Sequence, residues 1–396
     1  MESHDLDKWR AEFPILARSV YMISNSLGAM PRRTAANLAE YADVWATRGI
    51  RGWEDRWWEM PIEIGNKIAR IIGAPAGSVS MHENVTTAHA VALSSIPRDS
   101  VRRRIVCTAA DFPSMVYLFR GEQASGFDLR VVPTEPDLSV RTDRILDAID
   151  GSTAVVAVSH VLFRTSHIVD AAAVIARAHE AGAPVILDVY QSAGIVPLDV
   201  TALDADFAVG GCLKWLCGGP GNAFMYTRPG LLRSAAPRLS GWLSQRAPFA
   251  FDIDSTDRRD DAMRMMNGTP AIPAYYAALA GLDIIHEVGV GRIREKSKQM
   301  TARLLHLADT YGFRSAAPRD PERLGGTVAI DVPEAALVAQ TLKAREFLVD
   351  YRPLVGIRMS PHFYNTTDEA DRIMAETAGI VARKDYATTT RRSLVT

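Results

Sequence analysis

Apolar and polar positions alternate in blocks through the middle of the chain. Between Thr153 and Ala208 an apolar run, TAVVAVSH, precedes the amphipathic stretch DAAAVIARAHEAG, and two further apolar runs follow, APVILDV and ADFAVGG. Short continuous apolar runs around a stretch of helical period predict a βαβ unit with buried parallel strands, its helix opened by Asp170. Upstream the same alternation begins by about Trp58. IEIGNKIARIIGA reads as a helix, GSVSMHENVTT as a strand running into a loop, and VRRRIVCTAADFPS as a strand ending in a turn. Downstream, IPAYYAALAGLDIIHEVGVGRIREKSKQMTARLLHLADTYGF predicts a long helical stretch broken at VGVG, with short β-like segments beyond it in GTVAIDV and VGIRMS. That change of pattern predicts a second, smaller α+β domain.

Composition narrows the function classes. The 396 residues are 47% hydrophobic and 23% charged, enough for more than one packed core. With 45 basic against 46 acidic residues the net charge is −1, so no bulk field favours nucleic acid or an anionic membrane. Small molecules or a second copy of the chain are the expected partners. Cys107, Cys212 and Cys217 are odd in number with no CxxC spacing, which argues against a disulfide framework or a cysteine-rich zinc site. The polar start, MESHDLDKWR, and the absence of any run of ~18 apolar residues predict a cytoplasmic protein that neither carries a leader nor spans a membrane. His82, His89, His160, His167 and His362 show no HxxxH or HxH spacing, so no metal is expected. No GxGxxG follows a strand, which disfavours nicotinamide and flavin. The RRSL segment near the C-terminus reads as a solvated tail.

In α/β sheets ligands bind beyond the carboxyl ends of the strands. Asp188 ends one predicted strand, and Lys214 follows the next in FAVGGCLKWLCGGPG. Such a pair suits pyridoxal 5'-phosphate (PLP), whose ring nitrogen needs a carboxylate and whose aldehyde needs a lysine for a Schiff base. On their own, Asp188 could equally be a turn cap and Lys214 a surface charge.

The surrounding residues resemble a family. DVYQSAGIVPLDVTALDADFAVGGCLKWLCGGPG is similar to the lysine region of class V aminotransferase-fold PLP enzymes, and among them to kynureninases. The resemblance continues, in order, through YMISNSLGAMP, RGWEDRWWEMPIEIGNKIARIIGA, HENVTTAHA, DFPS, SHVLFRTSHIVD, SGWLSQRAPFAF, NGTP and DYRPLVGIRMSPHFYNT. It implies the α/β architecture of PLP-dependent transferase fold type I. A large domain at 51–285 would hold a mostly parallel seven-stranded sheet, beside a small α+β domain at 286–396 joined by an N-terminal segment, 1–50.

The resemblance also implies roles. Lys214 would carry the cofactor and move the proton, and Asp188 would pair with the pyridinium nitrogen. Phe112 would stack on the ring and His160 would line its pocket. Thr86 and Thr87 would bind the phosphate, with Gly268 and Thr269 reaching it from a neighbouring subunit, which implies a homodimer with shared active sites. Trp242, in the Gly-Trp loop, would also contact the cofactor. Arg358 would grip the substrate carboxylate, with Asn25 and Ser26 nearby.

Four positions depart from the kynureninase pattern. Leu213 stands where that pattern has a phosphate-binding Tyr, and Leu162 and Phe163 stand for Asn and Tyr. Gln191 replaces a His and resembles the cysteine desulfurase branch, where Gln meets the cofactor's phenolic oxygen. The desulfurase reaction needs a loop cysteine before the arginine, and LVDYRPLVGIR has none. The expected substrate is a small-molecule L-amino acid or cysteine S-conjugate, handled through an external aldimine and quinonoid by a lyase that cleaves Cβ–S or Cβ–C. Kynureninase itself is one alternative. Decarboxylation with oxidative deamination, or transamination, is another.

Overall fold

The computed structural model describes residues 3–97 and 101–388; the RRSL tail lies outside them. In chain order the strands are β1 (Val20–Tyr21), β2 (Val79–His82), β3 (Arg104–Thr108), β4 (Asp128–Val132), β5 (Thr153–Ser159), β6 (Val185–Asp188), β7 (Phe207–Gly211), β8 (Ala223–Thr227), β9 (Val328–Ile330), β10 (Phe347–Leu348), β11 (Asp350–Arg352) and β12 (Gly356–Met359). The helices are α1 (Arg33–Arg48), α2 (Met60–Ile72), α3 (Val85–Ser94), α4 (Pro113–Glu122), α5 (Thr142–Asp147), α6 (Ala171–Glu180), α7 (Pro229–Ser234), α8 (Ile272–Val288), α9 (Val290–Thr310), α10 (Ala335–Ala344) and α11 (Thr367–Arg383).

Seven strands form one sheet in the order β2-β8-β7-β6-β5-β3-β4, and β8 alone runs against its neighbours. The apolar runs are continuous because helices cover both faces. Val156, Val158, Val185 and Leu187 point to the core shared with α2, α6 and α8, while Val155, Ala157, Ile186 and Val209 meet α3, α4 and α7. At the start of α6 the Asp170 carboxylate accepts the Ala173 N–H at 3.0 Å, as its sequence position predicts. The break at VGVG falls on Gly289, whose φ of +85° separates α8 from α9.

A smaller core gathers β9, β12, α10 and α11 with the C-terminal half of α9. Both chain ends contribute. Val20 and Met22 are buried in this core, and β1 pairs in parallel with β10. Helix α9 spans the junction, with Ile293 in the main core and Met300 and Leu304 in the smaller one. The loop expected after β2 is only two residues long. Asn84 caps α3 by accepting the Thr87 N–H at 2.9 Å, so Thr86 and Thr87 belong to the first helical turn. Among the described residues no helix is long and apolar enough to cross a membrane.

Candidate active site

Four parallel strands deliver their carboxyl ends to one rim. Asp188 is the last residue of β6, paired in register with Ser159 of β5 and Val209 of β7. Its carbonyl accepts the His160 N–H and its Oδ1 accepts the Tyr190 N–H, both at 2.8 Å, so the carboxylate is held from its own strand end. Phe112 follows β3 and caps α4, with Pro113 opening that helix. Asp111 beside it is buried. Its Oδ2 accepts from the Thr108 N–H (2.7 Å) and hydroxyl (2.9 Å), its Oδ1 from the Ser159 N–H (2.7 Å), and burial lifts its pKa to about 6 against these bonds. Asp111 therefore straps β3 to β5 and fixes where Phe112 stands.

Lys214 lies three residues beyond β7. Its Nζ is 4.1 Å from the centre of the Tyr190 ring and 5.7 Å from that of Phe112. Burial pulls its pKa down to about 8, opposed by the Asp188 charge and assisted by Arg358 and Arg352. The loop around it closes on itself through Gly218 N–H to Cys212 O (2.7 Å) and Cys217 N–H to Lys214 O (3.1 Å). The turn 23–28 rests directly on this loop, with Gly28 N–H donating to Leu213 O at 2.9 Å. A Cβ on Gly28 would lie 2.1 Å from the Lys214 carbonyl oxygen, so only glycine permits the approach.

Arg358 of β12 is 2% exposed. Its Nε and Nη2 donate to the two oxygens of Asp350 at 2.8 and 2.5 Å, and its Nη1 donates to the Phe163 carbonyl at 2.5 Å. A guanidinium has five N–H groups, so Nη1 and Nη2 each keep one for a further acceptor. A carboxylate fits that pair. The Phe163 ring stands edge-on to Phe112 at 5.2 Å, which closes a line from Lys214 through Phe112 and Phe163 to Arg358.

Several buried polar atoms near this rim have no protein partner: both amide atoms of Asn25, Nδ1 of His160 and Nε2 of His89. The His160 ring is held neutral, its pKa pulled down to about 4 by burial, and the His89 ring is pulled down likewise, opposed by Asp188. Buried polar atoms are nearly always paired, so such a group marks room for a polar ligand. A carboxylate at a strand end, a weakly basic lysine and an aromatic face together fit PLP.

This donor set on this sheet defines a PLP-dependent α/β enzyme. The Aminotransferase class-V family model matches residues 20–373, and the chain belongs to that family, whose members depend on PLP. It is 31% identical over 385 residues to the kynureninase of Bacillus thuringiensis subsp. konkukian (strain 97-27), covering 93% of this chain and 90% of that one. It is 30% identical to the kynureninase of Pseudomonas fluorescens over 96% of this chain and 93% of that one. Among solved structures, the apo cysteine desulfurase of Thermococcus onnurineus NA1 superposes with a TM-score of 0.84 at 20% identity, covering 95% of this chain and 98% of the other. The cystine C-S lyase C-DES, solved with its product cysteine persulfide, gives 0.84 at 20% identity over 92% and 99%. The protein is a PLP-dependent enzyme of the class V family.

The structure gathers Lys214, Asp188, Phe112, His160 and Arg358 around this rim and lays the turn bearing Asn25 and Ser26 on the lysine loop. Gln191 is tied down: its Nε2 donates to Asn25 O and its Oε1 accepts the Trp215 indole N–H, both at 3.0 Å, which leaves one N–H for a ligand. Thr87 gives both its N–H and its hydroxyl to Asn84, whereas Thr86 keeps its hydroxyl. Trp242 packs with Trp58, Phe249 and Phe251 rather than with the Lys214 group. Gly268 and Thr269 are exposed. Leu162 sinks into the main core, so Phe163 alone faces Phe112. Sequence reasoning missed Asp111, Tyr190, His89 and Asp350. Each of the four stands inside a motif quoted above, where its neighbours were assigned roles and it was not.

Two predictions follow from this geometry. In Gly28→Ala the added methyl collides with backbone, so the melting temperature falls by an amount corresponding to about 1–3 kcal/mol and cofactor loading drops; an unchanged melt and full loading would contradict the contact. The second concerns Lys214, whose pKa is depressed on folding. The unfolded chain then binds the extra proton, so this group's stabilisation is present above about 10.5 and lost as pH falls through about 8. Cofactor-free parent should therefore gain on Lys214→Met in thermal melts between pH 8 and 10, and a constant gap would refute the depressed value.

Proposed function

We propose that this enzyme breaks the Cβ–S bond of an L-cysteine S-conjugate. The observation that carries this reading is the hydrocarbon wall beside Lys214, where Phe112 and Phe163 meet edge to face and Phe163 brings no hydroxyl. Bound PLP supplies an electron sink for negative charge at the substrate Cα. Arg358, held by Asp350 and the Phe163 carbonyl, offers its outer N–H pair to the α-carboxylate. Asp188, at the end of β6, would pair with the cofactor's ring nitrogen. Lys214 Nζ, weakened as a base by burial, is neutral in an appreciable fraction of molecules near pH 7 and accepts the α-proton. The electron pair of that C–H bond forms Cα=Cβ as the sulfur departs with the Cβ–S pair as a thiolate. After release, hydrolysis yields pyruvate and ammonia.

Cleavage of an aryl ketone asks for more, because water must add to the carbonyl and donors must hold the developing oxyanion. The Phe112–Phe163 wall supplies none. Kynureninase activity is the second reading, favoured by about 30% identity to kynureninases along nearly the whole chain. We also read the protein as a cytoplasmic homodimer with shared active sites. Supporting this are exposed Gly268 and Thr269, the uncovered Phe249, Phe251 and Ile253, and three buried free cysteines.

Side-by-side steady-state assays test the reaction: a cysteine S-conjugate should release pyruvate with a kcat/KM well above that for anthranilate release from kynurenine, and the reverse order replaces the first reading with the second. Borohydride reduction and peptide mass spectrometry should place the cofactor on Lys214. Lys214→Ala should lose at least about 100-fold in kcat while keeping the parent's circular dichroism. An adduct on another lysine, or a variant that turns over normally, refutes the assignment.

A further inference from the structure

Arg164 and Arg352 each feel the charge of the Arg358 guanidinium, which is bonded to the Phe163 carbonyl. One carboxylate serves Arg358 and Arg352. Asp350 holds Arg358 through two bonds and lies 3.3 Å from Arg352 Nη2. Lys343, which also faces Asp350, adds positive charge. Arg164 lies outside this exchange. Its guanidinium stacks over the Phe163 ring at 4.8 Å, its Nε is buried without an acceptor, and it makes no ion pair with any carboxylate among the described residues. Burial and the Arg358 charge both weaken its hold on its proton, as expected of a cation kept beside another cation with no anion between them.

Counting charge shows what the cluster lacks. Asp350 cancels one of the four positive charges, and an amino acid's α-carboxylate on Arg358 cancels a second. Of the rest, Arg352 and Lys343 face Asp350, whereas Arg164, one residue beyond the carbonyl that orients Arg358, has no carboxylate beside it. We propose that the cleft takes an amino acid with a second, side-chain carboxylate, and that Arg164 receives it; this rests on the reading of Lys214 and Arg358 as an amino-acid site. Among cysteine S-conjugates, the class would be those whose sulfur substituent ends in a carboxylate. Stacking on Phe163 leaves the guanidinium fork free to bind it through two parallel N–H bonds.

Calorimetric titration of the PLP-loaded protein with pentanoate and with glutarate tests this without turnover. The parent should bind glutarate at least about tenfold more tightly than pentanoate, with a preference that shrinks as salt is raised. Arg164→Gln should lose the preference and bind pentanoate as the parent does, and Arg164→Lys should retain part of it. Retention of the cofactor absorbance shows that each variant is folded. Equal affinities in the parent, or a preference that survives in Arg164→Gln, overturns the assignment of Arg164 while leaving the amino-acid site standing. Failure of both acids to bind the parent overturns the amino-acid site itself, and this inference with it.

Discussion

One contact in the site leaves no room for a side chain, and it is between two backbones. Turn 23–28 sits on the lysine loop, joined by Gly28 N–H to Leu213 O, with no space for a side chain at Gly28. Much else leans on that contact. Gln191 links Asn25 O to the Trp215 indole, and His362 bonds through Nε2 to Trp215 O at 2.8 Å, so the N-terminal turn, the end of β6, the lysine loop and the segment after β12 form one hydrogen-bonded unit. An ammonium shifted by burial needs this enclosure, because water reaching Nζ would restore its ordinary basicity.

Arg358 shows the same logic applied to a cation. A guanidinium sealed from water is tolerated only with its N–H groups satisfied, and Asp350 and the Phe163 carbonyl take three of the five. The bonds that make burial tolerable also set the direction of the two N–H groups left over. Orientation and desolvation thus come from one arrangement. Arg164, stacked on the neighbouring ring with no carboxylate beside it, is the point where that compensation is incomplete.

The rim also shows how a rigid sheet supports a polar site. Asp188 is fixed by its own strand end, and Phe112 by the Asp111 strap between β3 and β5. Both anchors are hydrogen bonds to backbone N–H groups at strand ends, where the ladder stops and donors fall free. Asp188 and Phe112 therefore inherit the register of the sheet.

What the sequence determined by itself was whatever repeats with a period or stands in an ordered motif. Unbroken apolar runs specified β5, β6 and β7, because a strand covered on both faces has no polar side to show. Asp188 and Lys214 were legible as successive strand ends, and the motif resemblance added Phe112 and Arg358. Short edge elements such as β1, β10 and β11 left no periodic trace, since two or three residues carry no period, and the strand before the Asn-Ser-Leu-Gly turn came from the motif resemblance alone. Tertiary structure alone decided the partners. Asp350 looks like any acid until β11 folds against β12 and sets it opposite Arg358. Tyr190 and His89 become neighbours of Lys214 and Asp188 only through the packing around β6, and Leu162, apolar in either setting, could be assigned to the core rather than the cleft only once β5 had its neighbours. Hydrogen bonds and charges act over a few ångströms, and residues distant in sequence reach that range only through the fold.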